Sequence, residues 1–347
     1  KCKKLLKESW QSRRLVCVMA YESVQQRERG GQAYDTLAQV LAGRKFGLVC
    51  DESHRVKNHQ TTTAKNVESF ARAAVFRGVQ SGTPYPTGYT DFYEQFRILD
   101  PNIIGLDNYF AFRNRYAVMG GFEDKEIVAY KNTDELLSLV APYTFQVGEE
   151  EASKHLPERN YRTVYVQMTK EQQKAYNDLK RKKWAEVETH DGKQVDLQVD
   201  QVLQKYTTLQ QVCAGFVAYD EEDLLKEDTV RRTSWLVEPK GNPKVRELVQ
   251  LLKDHPEEPV IVWTRFRNEI AQVLEVFPDA AQYHGGVSRE QRDREVDRFR
   301  SGQTRLFVSN ETGQEGLTLN EARLVVYLSN SFKYVQRVQT EKRNHRT

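Results

Sequence analysis

Phe46-Gly47-Leu48-Val49-Cys50 runs directly into Asp51-Glu52-Ser53-His54-Arg55-Val56-Lys57-Asn58. A short apolar run of that length reads as a buried strand, and the abrupt switch to acid, hydroxyl, imidazole and base puts those groups on the loop at its carboxyl end. In open parallel sheets that edge is where ligands sit. Two adjacent carboxylates there suit phosphoryl transfer, because one can hold a magnesium ion through water while the other orients and polarises an attacking water. Alone, the pair fits a solvated turn or a helix amino-terminus equally well. The flanking sequence has to decide.

Upstream, Leu15 to Ala20 is a strand-like apolar run ending at Tyr21-Glu22-Ser23, and Gln32 to Leu41 carries apolar residues at helical spacing. Downstream, Ala64 to Ala74 reads as a helix and Val75 to Gln80 as a strand that ends in Ser81-Gly82-Thr83-Pro84. Small hydroxyl residues and a glycine at a strand end make a loop able to approach a phosphate or neighbouring carboxylates. From Asp91 to Tyr116 the pattern is helical and aromatic-rich, interrupted at Asp100-Pro101, and its aromatics read as core. The charged stretch Gly148 to Lys154 reads as a surface crossing between two lobes.

The second half repeats the alternation. Thr163 to Met168 alternates like a strand, Lys170 to Glu188 reads as one long charged helix, and His190 to Lys193 as a turn. Val199, Val202, Leu203, Tyr206, Leu209 and Val212 recur at helical intervals, which predicts a helical insertion, and 219–243 reads as an exposed hairpin or loop. Then come a helix from Val245, a strand Val260 to Trp263, a helix Ile270 to Phe277, a short run Ala280 to Tyr283, a polar helix Arg289 to Arg300, and strands Thr304 to Ser309 and Leu324 to Leu328. Strands alternating with helices twice over predict an α/β protein with two parallel-sheet lobes.

A chain of 347 residues accommodates two such domains. No apolar stretch approaches the length of a membrane span, and the first residues, Lys1-Cys2-Lys3-Lys4-Leu5-Leu6-Lys7, lack the apolar core of a secretory signal. The lysine start predicts a piece of a longer protein. Cys2, Cys17, Cys50 and Cys213 show no paired spacing, which argues against a zinc site or a disulfide framework. With a net charge of only +3, any surface for nucleic acid has to be local.

Taken in order, these segments resemble the Swi/Snf-type double-stranded DNA translocases of helicase superfamily two. Asp51 to Asn58 is similar to the family's Asp-Glu-Ala-His box with its following Arg-Ile-Lys-Asn, with serine at the third place. Ser81-Gly82-Thr83-Pro84 resembles its motif III, while Tyr93 to Pro101, Leu156-Pro157 and Gln172 to Tyr176 fall on its helix, Leu-Pro and Gln-plus-Tyr landmarks. His284-Gly285-Gly286 with Arg289, Arg292 and Phe299 resembles the segment after motif IV. Gly313, Gly316 and Leu319 match motif V, and Gln339, Arg343, His345 and Arg346 match motif VI. The chain departs from the pattern at Glu311, Thr318 and Gln146-Val147, and it contains no Gly-x-Gly-Lys-Thr-like phosphate loop, which the family pattern places upstream of Lys1.

The resemblance implies two RecA-like parallel-sheet lobes, 1–148 and 149–347, truncated at the first lobe's amino end and the second's carboxyl end, with the insertion at about 168–240. It implies ATP and Mg2+ as cofactors, bound between the lobes. Asp51 would hold the metal, Glu52 would activate water, and Arg343 and Arg346 would face the transferred phosphoryl group. Asp51, Glu52, Gly316 and Gln339 would bind nucleotide, and His54, Ser81 and Thr83 would couple hydrolysis to movement. Arg55, Lys57, Ser309 and Asn310 would contact double-stranded DNA. The compartment expected is the cytoplasm of a bacterial or phage-infected cell, or the nucleus of a eukaryote, with no membrane partner. Two other readings compete: a strand-separating helicase or restriction motor of the same superfamily, and a non-catalytic DNA- or partner-binding module.

Overall fold

The computed structural model describes residues 16–24, 32–106, 108–148, 151, 154, 158–199, 202–223, 228–310, 317 and 319–341. The chain divides after Gly148 into two compact units. Both are mixed α/β, and each contains a parallel sheet.

In the first unit, β1 (Gly47–Cys50) and β2 (Phe76–Val79) pair in parallel, with Cys50 opposite Val79. The helix between them, Thr62–Ala73, starts where the Thr61 hydroxyl accepts the Ala64 N–H, and it lays Ala64, Val67, Phe70 and Ala71 on the strands. Cys50, Val56 and Ile98 complete that core. A second core is aromatic. Helices Phe92–Leu99 and Tyr109–Tyr116 contribute Phe92, Tyr93, Phe96, Phe112 and Tyr116, packed edge-on and tilted against one another. The Asp100-Pro101 break separates these helices, and the Asn108 side chain caps the second by accepting the Ala111 N–H. Between them and β2, Gly88 adopts φ +138°, and a Cβ there would run into the Tyr130 hydroxyl.

The second unit is built on a four-stranded parallel sheet of order β4-β5-β3-β6, in which β3 is Val260–Trp263, β4 Ala281–Tyr283, β5 Leu306–Ser309 and β6 Leu324–Tyr327. Alternate residues face opposite ways. Val260, Val262, Leu306 and Val308 meet Leu248, Leu252, Ile270 and Val273 of helices Pro243–Asp254 and Arg267–Val276. Ile261, Trp263 and Phe307 meet Val296 and Phe299 of helix Arg289–Arg300. Helices on both faces explain why β3 and β5 are buried at every position and read as unbroken apolar runs.

Three expected elements differ. Residue 15 lies outside the described residues, and 16–20 form no strand: Val16 and Val18 are 87% and 95% exposed, and no strand pairs with them among the described residues. The stretch Thr163 to Met168 is likewise unpaired among the described residues. An alternating pattern needs a neighbouring strand to satisfy its backbone, and the pattern alone does not supply one. The long helix from Lys170 ends at Lys182, because Lys183 turns left-handed at φ 61°. Trp184 to Glu188 then alternates exposed and buried and pairs with Gln194–Gln198 around the Asp191-Gly192 turn. The segment expected as a helical insertion therefore holds helices Lys170–Lys182 and Val202–Cys213 together with two antiparallel hairpins, the second formed by Phe216–Asp223 and Asp228–Trp235. All share one core of Leu179, Ala185, Val187, Val195, Leu197, Leu209, Val212 and Val217.

Glu94, on the core side of Phe92–Leu99, is 1% exposed, and neither carboxylate oxygen has a hydrogen-bond partner among the described residues. Burial pushes its carboxyl from the ordinary 4.5 up to about 7; Glu68 adds to the rise, while Arg97 and Arg72 oppose it but are engaged by Glu68. A raised folded-state value means that the folded chain holds the proton longer than the unfolded chain, so this group's contribution to stability falls as pH rises from about 4.5 to about 7. Glu94→Gln should therefore match the parent in urea unfolding at pH 5 and exceed it at pH 8 by roughly 1–3 kcal/mol.

Candidate functional site

The ladder between β1 and β2 continues one step past the strands. Gln80 N–H donates to Cys50 O, and Ser53 N–H donates to Gln80 O, both at 2.9 Å. That zipper sets the Asp51–His54 loop beside the Gln80–Thr83 loop at the carboxyl edge of the sheet. Gln80 Nε2 donates to Asp51 Oδ1 at 3.1 Å, Glu52 N–H donates to the same oxygen at 2.9 Å, and the Tyr21 hydroxyl holds the Asp51 carbonyl at 2.7 Å. Burial, with Cys50 and Asp51 adding, pushes the Tyr21 phenol well above its ordinary value, so it is a lasting donor. Asp51 is exposed, and the side-chain bonds described at its carboxylate fall on Oδ1.

Glu52 sits at φ 48°, ψ 49°, in the left-handed region, and opens the 3-10 turn Ser53–Val56. The turn brings three polar groups together. His54 Nδ1 lies 3.0 Å from Ser81 Oγ and 3.2 Å from Glu52 Oε2, and Ser81 Oγ donates to Glu52 Oε2 at 3.5 Å. Ser81 Oγ in turn accepts the Thr83 N–H at 3.1 Å, while the Thr83 hydroxyl is buried with no hydrogen-bond partner among the described residues. A carboxylate backed by an imidazole and a hydroxyl at a sheet edge is arranged to accept a proton and pass the change to a neighbouring loop. The structure thus gathers Asp51, Glu52, His54, Ser81 and Thr83 in one place.

The residues expected at DNA behave differently. Lys57 Nζ donates to Asp91 Oδ2 at 3.0 Å and to the Thr87 hydroxyl at 2.8 Å, and Asp91 is buried. This lysine is half-buried and ties its turn to the Thr87–Asp91 segment. Arg55 pairs with Glu22, and its guanidinium lies 5.7 Å from the centre of the Tyr21 ring. Ser309, in the second unit, is 0% exposed and donates to Tyr283 O at 2.7 Å, tying β5 to β4. Asn310 follows it, partly exposed. Gln339 is half-buried on helix Tyr334–Glu341, whereas Gly316, Arg343 and Arg346 lie outside the described residues, as do Gly313, His345 and Leu156-Pro157.

At the carboxyl edge of the second sheet, residues that the motif pattern does not single out form a network. Arg265 N–H donates to Ser329 Oγ at 2.8 Å, Ser329 donates to Glu269 Oε2, and burial pushes the Glu269 carboxyl up against the opposing pull of Lys244, whose ammonium is 4.0 Å away. Arg337 lies 3.4 Å from the centre of the Tyr327 ring and bonds Asn330 Oδ1 at 3.0 Å. Gln95, Gln80 and Tyr21 were likewise absent from the sequence expectation. The available signal was a polar side chain on the apolar face of an amphipathic helix, as at Gln95.

Among the described residues no group of three or more His, Cys, Asp or Glu side chains could hold a metal. The exposed Asp51 carboxylate, with Glu52 beside it, is a donor of the kind that would fit Mg2+, which keeps most of its waters and takes one or two carboxylates plus phosphate oxygens. Because Lys57 neutralises a buried aspartate, Lys57→Met should lower the unfolding free energy by about 1–3 kcal/mol in a urea titration, and Arg55→Ala, at an exposed pair, by under about 1 kcal/mol.

Residues 2–215 match the SNF2-related domain family, and residues 243–347 match the helicase conserved C-terminal domain. The chain is 23% identical over 310 residues to the chromodomain-helicase-DNA-binding protein 1-like of Mus musculus, covering 86% of this chain and 32% of that protein. It is 23% identical over 301 residues to the DNA repair and recombination protein RAD26 of Saccharomyces cerevisiae, covering 80% of this chain and 26% of that one. The chain thus spans about a third or less of the length of these relatives. Among solved structures, the Sulfolobus solfataricus SWI2/SNF2 ATPase core in complex with dsDNA aligns at 18% identity with a TM-score of 0.34, over 86% of this chain and 61% of that one. With more than half of its length matched, this chain belongs to the SNF2-related domain family.

Proposed function

We propose that this chain is the hydrolytic part of an ATP-dependent motor that moves along double-stranded DNA, its units up to Gly148 and from Glu149 being the two RecA-like lobes. The observation that carries the reading is the Glu52 carboxylate held within 3.2 Å of His54 Nδ1 beside Asp51 at the carboxyl edge of a parallel sheet. Membership of the SNF2-related family supports ATP as the nucleotide.

In this reading Asp51 is the magnesium residue, its Oδ1 fixed by Gln80 and the Glu52 amide. Bound magnesium would neutralise phosphate charge and fix the geometry of the triphosphate. Glu52 orients the attacking water and accepts its proton. His54 and Ser81 hold that carboxylate in one orientation and transmit its change of charge to the Ser81–Pro84 loop, as coupling residues with Thr83. Arg343 and Arg346 supply guanidinium charge to the transferred phosphoryl group, and Gly316 and Gln339 belong to the nucleotide site. DNA contacts are made to phosphates, so affinity falls with salt and varies little with sequence. Arg55, Lys57, Ser309 and Asn310 are the residues proposed for that role, and of these Lys57 and Ser309 also bond within their own units.

The test uses the longest natural polypeptide that carries this chain. Glu52→Gln should reduce DNA-stimulated ATP hydrolysis by about 100-fold or more while ATP binding stays within a few-fold, as expected on losing a general base. Undiminished turnover would overturn the assignment.

A further inference from the structure

The two loops of the site are also joined from beneath by one buried amide. Ser53 Oγ donates to Gln95 Oε1 at 2.7 Å, and Gln95 Nε2 donates to Pro84 O at 2.5 Å and to Asp91 O at 2.8 Å. Ser53 and Gln95 are 1% and 2% exposed. Every proton on the Gln95 amide nitrogen is used, and its oxygen is occupied. Ser53 directly follows Glu52, and Pro84 directly follows Thr83, so the amide touches each loop one residue from a group in the site. Its bonds to Ser53 and Asp91 are buried, where water cannot readily replace a lost partner.

We propose that Gln95 is a positioning residue for the hydrolytic step, with Ser53 as its partner. It fixes the acidic loop and the Ser81–Pro84 loop at one separation, so that Glu52, His54 and Ser81 stay within bonding distance. The inference rests on the ATP-hydrolysis reading above. The serine that sets Asp51-Glu52-Ser53-His54 apart from the Asp-Glu-Ala-His pattern is the donor in this link, and an alanine there would leave Gln95 Oε1 unsatisfied. Because catalytic groups displaced by about an ångström lose about 100-fold in rate, a link of this kind acts on turnover before it acts on nucleotide binding.

The test compares Ser53→Ala, Ser53→Thr, Gln95→Leu and Glu52→Gln in the same polypeptide, by ATP turnover and by hydrogen–deuterium exchange of residues 81–85. Ser53→Ala should lower kcat about tenfold with KM for ATP within about twofold, and should speed exchange of the Ser81–Tyr85 segment severalfold although Ser53 bonds no atom in it. Ser53→Thr, which keeps the hydroxyl, should restore both. Gln95→Leu should reproduce the alanine phenotype; if that variant does not fold, the single-oxygen deletion at Ser53 still decides. Unchanged exchange and kcat in Ser53→Ala, while Glu52→Gln abolishes turnover, would overturn the positioning role and leave the hydrolysis reading intact. Turnover that survives Glu52→Gln would remove the reading and this inference together.

Discussion

A parallel ladder only four residue pairs long governs the candidate site. Its register places Cys50 opposite Val79, and the next two backbone bonds, to and from Gln80, bring the acidic loop and the Ser81–Pro84 loop side by side. A slip of one residue would turn Cys50 out of the core and carry Asp51 to the opposite face. Burial of Cys50 against Val56, Val67 and Ile98 is thus a constraint on the chemistry as much as on the core.

Around that ladder the first unit uses polar side chains as internal fasteners. Lys57 is fixed to Asp91 and Thr87, Gln95 spans Ser53 and Pro84, and Tyr21 holds the Asp51 carbonyl. Nearly all of these groups have their bonds satisfied, and buried networks of that kind specify one arrangement more sharply than apolar contacts do. Glu94, in the same helix as Gln95, is an exception, a carboxyl with no hydrogen bond on either oxygen among the described residues, and the Thr83 hydroxyl is another.

Much of the fold was legible because the second sheet obeys simple rules. Val260 to Trp263 and Leu306 to Ser309 are apolar at nearly every position since helices cover both faces, and the helix Arg289–Arg300 has the bounds its polar stretch suggests. Trp184 to Glu188 was misread because a long charged helix precedes it, and the left-handed turn at Lys183 is carried by a residue with no preference for it. Leu15 to Ala20 has strand composition, but composition does not reveal whether a neighbour exists. At the site, Asp51, Glu52, His54 and Ser81 were legible from motif order. Gln95 and Lys57 were not, since their roles come from partners 42 and 34 residues away.

Glu52 occupies a backbone conformation that an acidic residue with a long side chain does not choose, at φ 48°. Such a placement costs on the order of 1 kcal/mol or more, and glycine would take it freely. Selection for thermal robustness alone would drift towards glycine at this position and discard the carboxylate. On the reading proposed above, in which Glu52 is the general base, the loop trades durability for turnover, and the strain is the cost of placing a carboxylate there.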